Sequence, residues 1–250
     1  DSFDDEDRPG IIALLQMLGA FAPTVAPLIG AQIIRYYSWH HTFFVLAGLA
    51  CFAFFYSLFL TETLAKKDRL QGNVLQSVLS LKHILVNKAF MLFMVSMAGT
   101  SIIYMAFLAT SSYIYIQWFK LSETQYSLFF AVNSLILLVG PRIYLFVRKR
   151  FSTYQLVRFS FTFIILSGIL VLSLGQLSPY LFLLAFAPVT FSLGFLRALA
   201  STILLNQRNM NGGAVASMIN FSGTALGALG MLLGTIGWTN YVQGLGWITL

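Results

Sequence analysis

The chain has 250 residues, of which 58% are hydrophobic and only 9% are charged, and its formal net charge is +7. A water-soluble domain carries about 25% charged residues, so this composition excludes a soluble enzyme, a disordered tail and a secreted disulfide scaffold. The charges are clustered between long apolar runs. Because those runs do not alternate as barrel strands do, and a bilayer leaves only helices and closed barrels, we predict an all-α membrane protein.

A bilayer core needs about 20 apolar residues of helix. By this criterion we predict seven membrane spans along the chain. They cover residues 11–34, 42–60, 90–112, 124–147, 154–174, 180–205 and 213–237, and an eighth begins at 244–250. The single cysteine lies in an apolar run, so an internal disulfide is excluded.

The connector at 61–88 is much longer than the others, and its amphipathic stretch predicts a helix along the membrane surface. We expect it to separate two bundles: 1–62 ends the first, 63–88 is a cytoplasmic linker, and 89–250 forms the second. The chain starts with an acidic stretch unlike a signal peptide and stops inside an apolar run. We therefore expect it to be part of a longer, symmetric twelve-helix protein, from which four helices in front are missing.

Basic residues are unequally distributed between alternate connectors, with twelve in one set and two in the other. Connectors rich in Lys and Arg face the cytoplasm, which predicts the orientation, and the tryptophans adjoin the opposite connectors as an interfacial belt would. The net positive charge then faces the anionic inner leaflet, and no nucleic-acid partner is indicated. The basic residues that we single out at the inner surface are Arg142, Arg148, Lys149 and Arg150.

Two prolines one turn apart, Pro23 and Pro27, lie in the first span, and each removes a backbone donor and bends the helix. Ala26 and Gly30 belong to a series of small residues, which lets a neighbouring backbone come close. Small residues alone fit ordinary transmembrane packing, whereas two prolines at this spacing favour a functional helix–helix seam.

Arg197 lies within the sixth span, with no acidic residue near it in the sequence. A guanidinium at membrane depth costs about 3 kcal/mol on insertion scales. We therefore expect Arg197 to face a cavity, where it binds an anionic or polar group of a substrate or pairs with an acid elsewhere. The alternative is that it extends to the inner interface.

Several stretches resemble the drug:proton antiporters of the major facilitator superfamily. Residues 26–31, Ala-Pro-Leu-Ile-Gly-Ala, are similar to the antiporter motif of helix 5, with alanines in place of two glycines. Residues 1–3, 38–44, 121–133 and 213–221 resemble the bicyclomycin/chloramphenicol resistance (Bcr/CflA) branch. The resemblance implies two six-helix bundles, alternating access and proton-driven export of drug-like molecules from the bacterial inner (cytoplasmic) membrane. In that count the spans are helices 5 to 11 with the start of helix 12.

In the fold that this resemblance implies, helices 8 and 11 line the cavity and carry Asn133 and Asn220. Tyr104 and Phe221 are further candidates for an adaptable drug pocket. For the asparagines the alternative is hydrogen bonding between helices, and for the aromatic residues it is contact with lipid or core.

Glycines recur at steps of four and three along the seventh span. Because helices 5 and 11 are symmetry mates in the implied fold, this glycine face suits a seam at which one bundle moves against the other. Tight static packing is the alternative. The face consists of Gly223, Gly227, Gly230 and Gly234, continued by Gly237.

The spans contain no acid and no histidine, so we expect the proton-coupling acid on the missing helices. The sequence shows no phosphate-binding loop and no cofactor motif, and the pair His40–His41 is too sparse for a metal site. Neither an enzyme nor an ATP-driven pump is therefore expected. Two alternatives stay open: a transporter of another small metabolite in the same superfamily, and a truncated remnant that does not transport.

An impermeant amine reagent added to intact cells is expected to leave Lys66 and Lys149 unlabelled, because both lie in connectors predicted to be cytoplasmic. Mass spectrometry of the labelled protein measures this, and permeabilised cells, in which both lysines should react, are the control. Labelling of either residue in intact cells would contradict the orientation.

Overall fold

The computed structural model describes residues 25–26, 29–59, 88–205 and 212–250, and the regular structure in these ranges is helical throughout. Residues 29–36 are helical, and the helices that follow are numbered from α1. They are α1 (His40–Ser57), α2 (Lys88–Ser112), α3 (Glu123–Val147), α4 (Thr153–Leu174), α5 (Pro179–Leu205), α6 (Gly212–Thr235) and α7 (Tyr241–Thr249). A π-helical segment, Tyr113–Trp118, extends α2.

Within the described ranges, six helices are long and apolar enough to cross a membrane. From 42–60 onward, the predicted spans agree with the helices to within three residues, because runs of apolar residues set both. The six spans are His40–Ser57, Phe93–Trp118, Glu123–Val147, Thr153–Leu174, Pro179–Ala200 and Ser217–Thr235. Most of the first predicted span and the whole predicted linker helix lie outside the described residues, so they stay predictions.

Helices α2 to α7 form a bundle in which α5 is the central member. Helix α5 packs against α2, α3 and α4, while α2 packs along α6 and α4 along α7. The core that these helices share contains large apolar side chains, among them Phe107, Phe186 and Leu245. Helix α1 differs from the others because it has no buried residue.

Contacts between helices show the direction in which each helix runs. Asn133 of α3 meets Thr190 of α5, and Tyr144, further along α3, meets Phe195, further along α5. These two helices are therefore parallel, as expected for two spans separated by one other span. By the same comparison α2 is parallel to α6, and α4 is antiparallel to both α5 and α7.

Helices α3 and α5 touch through their backbones at two glycines. A Cβ atom added at Gly140 would lie 2.5 Å from the backbone nitrogen of Phe195, and one added at Gly194 would overlap the carbonyl oxygen of Leu137. Lipid tails are as apolar as leucine, so helices in a membrane associate through close packing, and small residues allow it. This pair of glycines therefore sets the distance between α3 and α5.

The glycine face of α6 lies against α2. A Cβ atom at Gly227 would lie 2.8 Å from Cγ of Met105, one at Gly230 would overlap the carbonyl oxygen of Ile102, and one at Gly234 would meet the Ala106 backbone. Within the described residues this face thus serves tight packing inside one bundle, the alternative that the sequence left open. A seam that slides between two bundles stays a prediction.

The variant Gly230→Ala is expected to lower the stability of the bundle by about 1–3 kcal/mol, because the added methyl group meets the backbone of Ile102 and forces the helices apart. The measurement is thermal unfolding in detergent. The matched control is Gly223→Ala on the same helix, where the methyl group would meet only the Ser101 hydroxyl oxygen, at 3.5 Å. Equal melting temperatures for the two variants would contradict the packing described here.

Candidate functional site

Arg197 lies on the third-last turn of the apolar helix α5, and its side chain is exposed. It follows Thr190 and Gly194 at helical steps of four and three, so the three residues share one side of α5. Thr190 and Gly194 are covered by α3, whereas Arg197 is not buried. The arginine therefore lies where this side of α5 opens.

Tyr104 of α2 is half-buried and packs against the core of the bundle. The positive charge of Arg197 acts electrostatically on the Tyr104 hydroxyl. Helical side chains lean toward the N-terminus of their own helix, and α2 and α5 are antiparallel, as the ring contacts of Tyr115 with Phe182 and of Phe107 with Phe186 show. The side chains of Arg197 and Tyr104 thus lean toward one another.

This geometry bears on the alternative that Arg197 extends to the inner interface. Helix α5 ends at the predicted inner surface, so Arg197 leans away from that surface and toward the middle of the membrane. Its interaction with Tyr104, sixteen residues into α2, lies in the same direction. The antiparallel packing of α2 and α5 is compatible with one cavity for both residues, and their role in lining it stays a prediction.

A small apolar recess lies between α2, α5 and α6. Its lining residues are Phe93, Met94, Met97, Ala200 and Ile219. Its volume of about 10 Å³ is far below the roughly 300–1,000 Å³ of a pocket for a drug-sized ligand. The recess by itself is therefore too small to hold such a molecule.

Asn133 occupies a different position from Arg197 and Tyr104. Its side chain is only 2% exposed, and its Oδ1 accepts a hydrogen bond of 2.9 Å from the Thr190 hydroxyl. This is the bond between helices that the sequence offered as the alternative to cavity lining. Asn133 thus joins α3 to α5, two turns from Arg197 along α5.

Asn220 and Phe221 lie together on α6, and both are exposed, Phe221 to 69%. They are next to Ile219, which lines the apolar recess. They lie together because they are consecutive residues of α6. Their role in a substrate cavity stays a prediction.

The proline motif of the first span is only partly within the described residues. Pro23 and Pro27 lie outside them. Ala26 is helical and exposed, and a Cβ atom added at Gly30 would meet nothing within 4 Å among the described atoms. The helix–helix seam predicted here stays a prediction.

The basic residues predicted at the inner surface do lie together. Arg142 is on the penultimate turn of α3, and Arg148, Lys149 and Arg150 form the turn between α3 and α4. All four side chains are exposed. Among the described residues the one carboxylate side chain is that of Glu123, at the opposite end of α3.

Sequence reasoning missed the partners of these residues. Nothing local in the sequence links Thr190 with Asn133, or Gly140 with Gly194, although a glycine at each of two spans is the signal for a close crossing. It also missed the π-helical segment at Tyr113–Trp118, where the Phe119 amide donates to the Ile114 carbonyl oxygen. Such segments are frequent at functional sites, but no pattern of residue types predicts them.

The chain belongs to the major facilitator superfamily, whose family model matches residues 1–235. Together with the helical spans, this match confirms an all-α, multi-pass membrane protein with a partial major-facilitator fold. The members of this family are membrane transporters and not enzymes, and the lipid bilayer is their surroundings. No curated protein matches the chain.

The variant Thr190→Val is expected to destabilise the bundle by about 1 kcal/mol, because the Asn133 side chain loses its buried donor while the volume is kept. Thermal unfolding in detergent measures the loss. Thr162→Val is the matched control, since that hydroxyl is exposed and bonds only the Arg158 carbonyl oxygen of its own helix. A loss of equal size in both variants would contradict a stabilising bond between α3 and α5.

Proposed function

We propose that this protein is a secondary transporter that exports drug-like small molecules in exchange for protons by alternating access. Family membership supports transport. The observation that carries the substrate path is the position of Arg197, a cation exposed within an apolar helix. A charge at this depth is costly unless it faces water or a partner, so this side of α5 borders the path.

In this proposal two bundles enclose the path between them. Residues 1–62 belong to the first bundle, 63–88 connect the bundles, and 89–250 form the second. Helix α1 supports this division because none of its residues is buried. A span without buried residues needs packing partners outside α2 to α7. Further helices of the first bundle, together with the drug substrate and protons, are the partners proposed for this protein.

Proton coupling requires a titratable group at depth, and the described spans offer no carboxylate except Glu123, at the outer end of α3. We therefore place the coupling acid on a helix of the first bundle. The bicyclomycin/chloramphenicol resistance branch and the bacterial inner membrane complete the proposal. Their support is the sequence resemblance already described.

A second candidate is a transporter of another small metabolite. The cationic side chain of Arg197 favours it specifically, because a guanidinium forms paired, charge-assisted hydrogen bonds with a carboxylate or phosphate. A metabolite that carries such a group would use Arg197 more fully than a neutral drug. The same side of α5 would border its path.

The test uses radiolabelled chloramphenicol and cells that contain or lack the intact protein. The protein is expected to lower drug accumulation, and Arg197→Ala to reduce the export rate about tenfold, because it removes one charge-assisted hydrogen bond. The amount of protein in the membrane fraction should not change. Equal accumulation in both kinds of cell would contradict drug export.

The matched control is Lys120→Ala, which removes a positive charge from the turn before α3, outside the spans. Normal export is expected for it. Arg197→Lys keeps the charge but not the paired donors, so an intermediate rate is expected. Normal export by Arg197→Ala would favour the alternative that the Arg197 side chain extends to the inner interface.

A further inference from the structure

The two histidines at the start of α1 lie beside one hydroxyl group. The Ser38 Oγ atom is 3.1 Å from Nδ1 of His41 and 3.4 Å from Nδ1 of His40. All three side chains are exposed. Two imidazole nitrogens and one oxygen are therefore gathered at the protein surface, in a connector predicted to face away from the cytoplasm.

A backbone contact determines which nitrogen of the His41 ring carries the proton. The Ser38 amide donates to Nδ1 of His41, at 3.4 Å. Because Nδ1 accepts this bond, its lone pair points toward Ser38 and the ring proton is on Nε2. A neutral imidazole with a free lone pair is the form in which histidine binds a metal ion.

Aromatic side chains hold both imidazole rings in place. The His40 ring stacks on Trp39, with 3.8 Å between the ring centres. The His41 ring lies between Tyr37 and Phe44, with its centre 5.1 Å and 6.1 Å from theirs. Contacts that orient a histidine ring before a metal ion binds raise the affinity of the site.

The distances among the three polar atoms match those between neighbouring ligands of one metal ion. Metal–ligand bonds of about 2.0–2.1 Å separate two ligands by roughly 2.9 Å in octahedral geometry and roughly 3.4 Å in tetrahedral geometry. The two separations from Ser38 Oγ, 3.1 and 3.4 Å, lie within this range. An ion can thus contact the hydroxyl and both nitrogens with little movement of the side chains.

The structure adds a third donor to a histidine pair that is too sparse on sequence alone. The described residues hold no cluster of three histidine, cysteine, aspartate or glutamate side chains, so a closed site is not formed here. An open site keeps water in its other positions. Imidazole ligands suit copper, zinc and nickel, whereas magnesium and calcium require oxygen ligands. Among these ions Cu²⁺ binds a given set of ligands most tightly.

We propose that His40, His41 and Ser38 form an open surface site for a divalent transition-metal ion, with Cu²⁺ bound most tightly. The two Nδ1 atoms are the principal ligands, the Ser38 hydroxyl is the third, and water completes the coordination. A bound ion joins the residue before α1 to the first turn of α1, so it stiffens the connector between the helix at 29–36 and α1. This inference does not depend on the substrate that the protein transports.

The test is electron paramagnetic resonance of one equivalent of Cu²⁺ added to the full chain, which is purified in detergent without a polyhistidine tag. Nitrogen ligands split the copper signal, so the spectrum counts them. We expect two imidazole nitrogens, and the splitting should change when the protein contains ¹⁵N-labelled histidine. This measurement needs no substitution, so it decides the question even if a variant does not fold. A spectrum of oxygen ligands alone would overturn the proposal.

Single variants locate the site. His40→Ala and His41→Ala are each expected to lose one nitrogen from the spectrum and to bind Cu²⁺ at least about tenfold more weakly in calorimetric titration. Ser38→Ala should weaken binding but keep both nitrogens. Thermal unfolding and gel filtration report whether each variant is folded.

The matched control is His83→Ala, which removes the third histidine of the chain. It should keep both nitrogens and the full affinity. If it loses as much as His40→Ala, or if the double variant His40→Ala, His41→Ala still shows two imidazole nitrogens, the ion is bound elsewhere and the proposed site is wrong.

Competition with other cations separates coordination by imidazole from attraction to negative charge. An excess of Zn²⁺ should displace Cu²⁺, because it uses the same ligands, whereas the same excess of Mg²⁺ should not. Displacement of Cu²⁺ by Mg²⁺ would indicate an adventitious ion only, and it would contradict the site.

Discussion

Close approach of helix backbones at glycine residues is the constraint on which the rest of this structure depends. In a membrane, apolar side chains gain little by leaving lipid, so van der Waals contact decides which helices pair. Gly140 and Gly194 let α3 meet α5, and Gly230 lets α6 meet α2. At each of these glycines an added Cβ atom would meet a backbone atom of the other helix, and a backbone atom cannot move aside as a side chain can. The two pairs fix the bundle in which the polar residues are then placed.

Helix α5 connects this close packing with the candidate site, because residues of both lie on one of its sides. Along one of its sides, Thr190 bonds Asn133, Gly194 meets the backbone of α3, and Arg197 is exposed. The first two contacts are buried and set the rotation of α5 about its axis. Because the side chains three and four residues apart share a side of a helix, that rotation also determines where Arg197 is exposed. The packing of Thr190 and Gly194 against α3 thus determines the position of the Arg197 charge further along α5.

The two ends of the bundle meet different surroundings, and the same physical terms explain both. The end predicted to face the cytoplasm carries arginine and lysine on the short α3–α4 turn, which capping by Ser152 and Gln155 holds in place. The outer end of α3 begins with the equivalent capping arrangement of Ser122 and Gln125, beside Glu123. The two helix starts therefore share one capping chemistry but differ in charge: three cations precede α4, whereas Lys120 and Glu123 lie together at the start of α3.

The sequence by itself determined where the spans begin and end, that the fold is all-α, and which connectors are basic. These features depend on runs of neighbouring residues measured against the thickness of a bilayer, so they need no knowledge of distant contacts. Only the tertiary structure decided that the glycine face meets α2, that Asn133 bonds Thr190, and that Gly140 and Gly194 bring α3 and α5 together. Those contacts join residues far apart in the chain. A pattern of residue types shows that a helix has a small or polar side, but the partner of that side is selected by the packing of all the helices together.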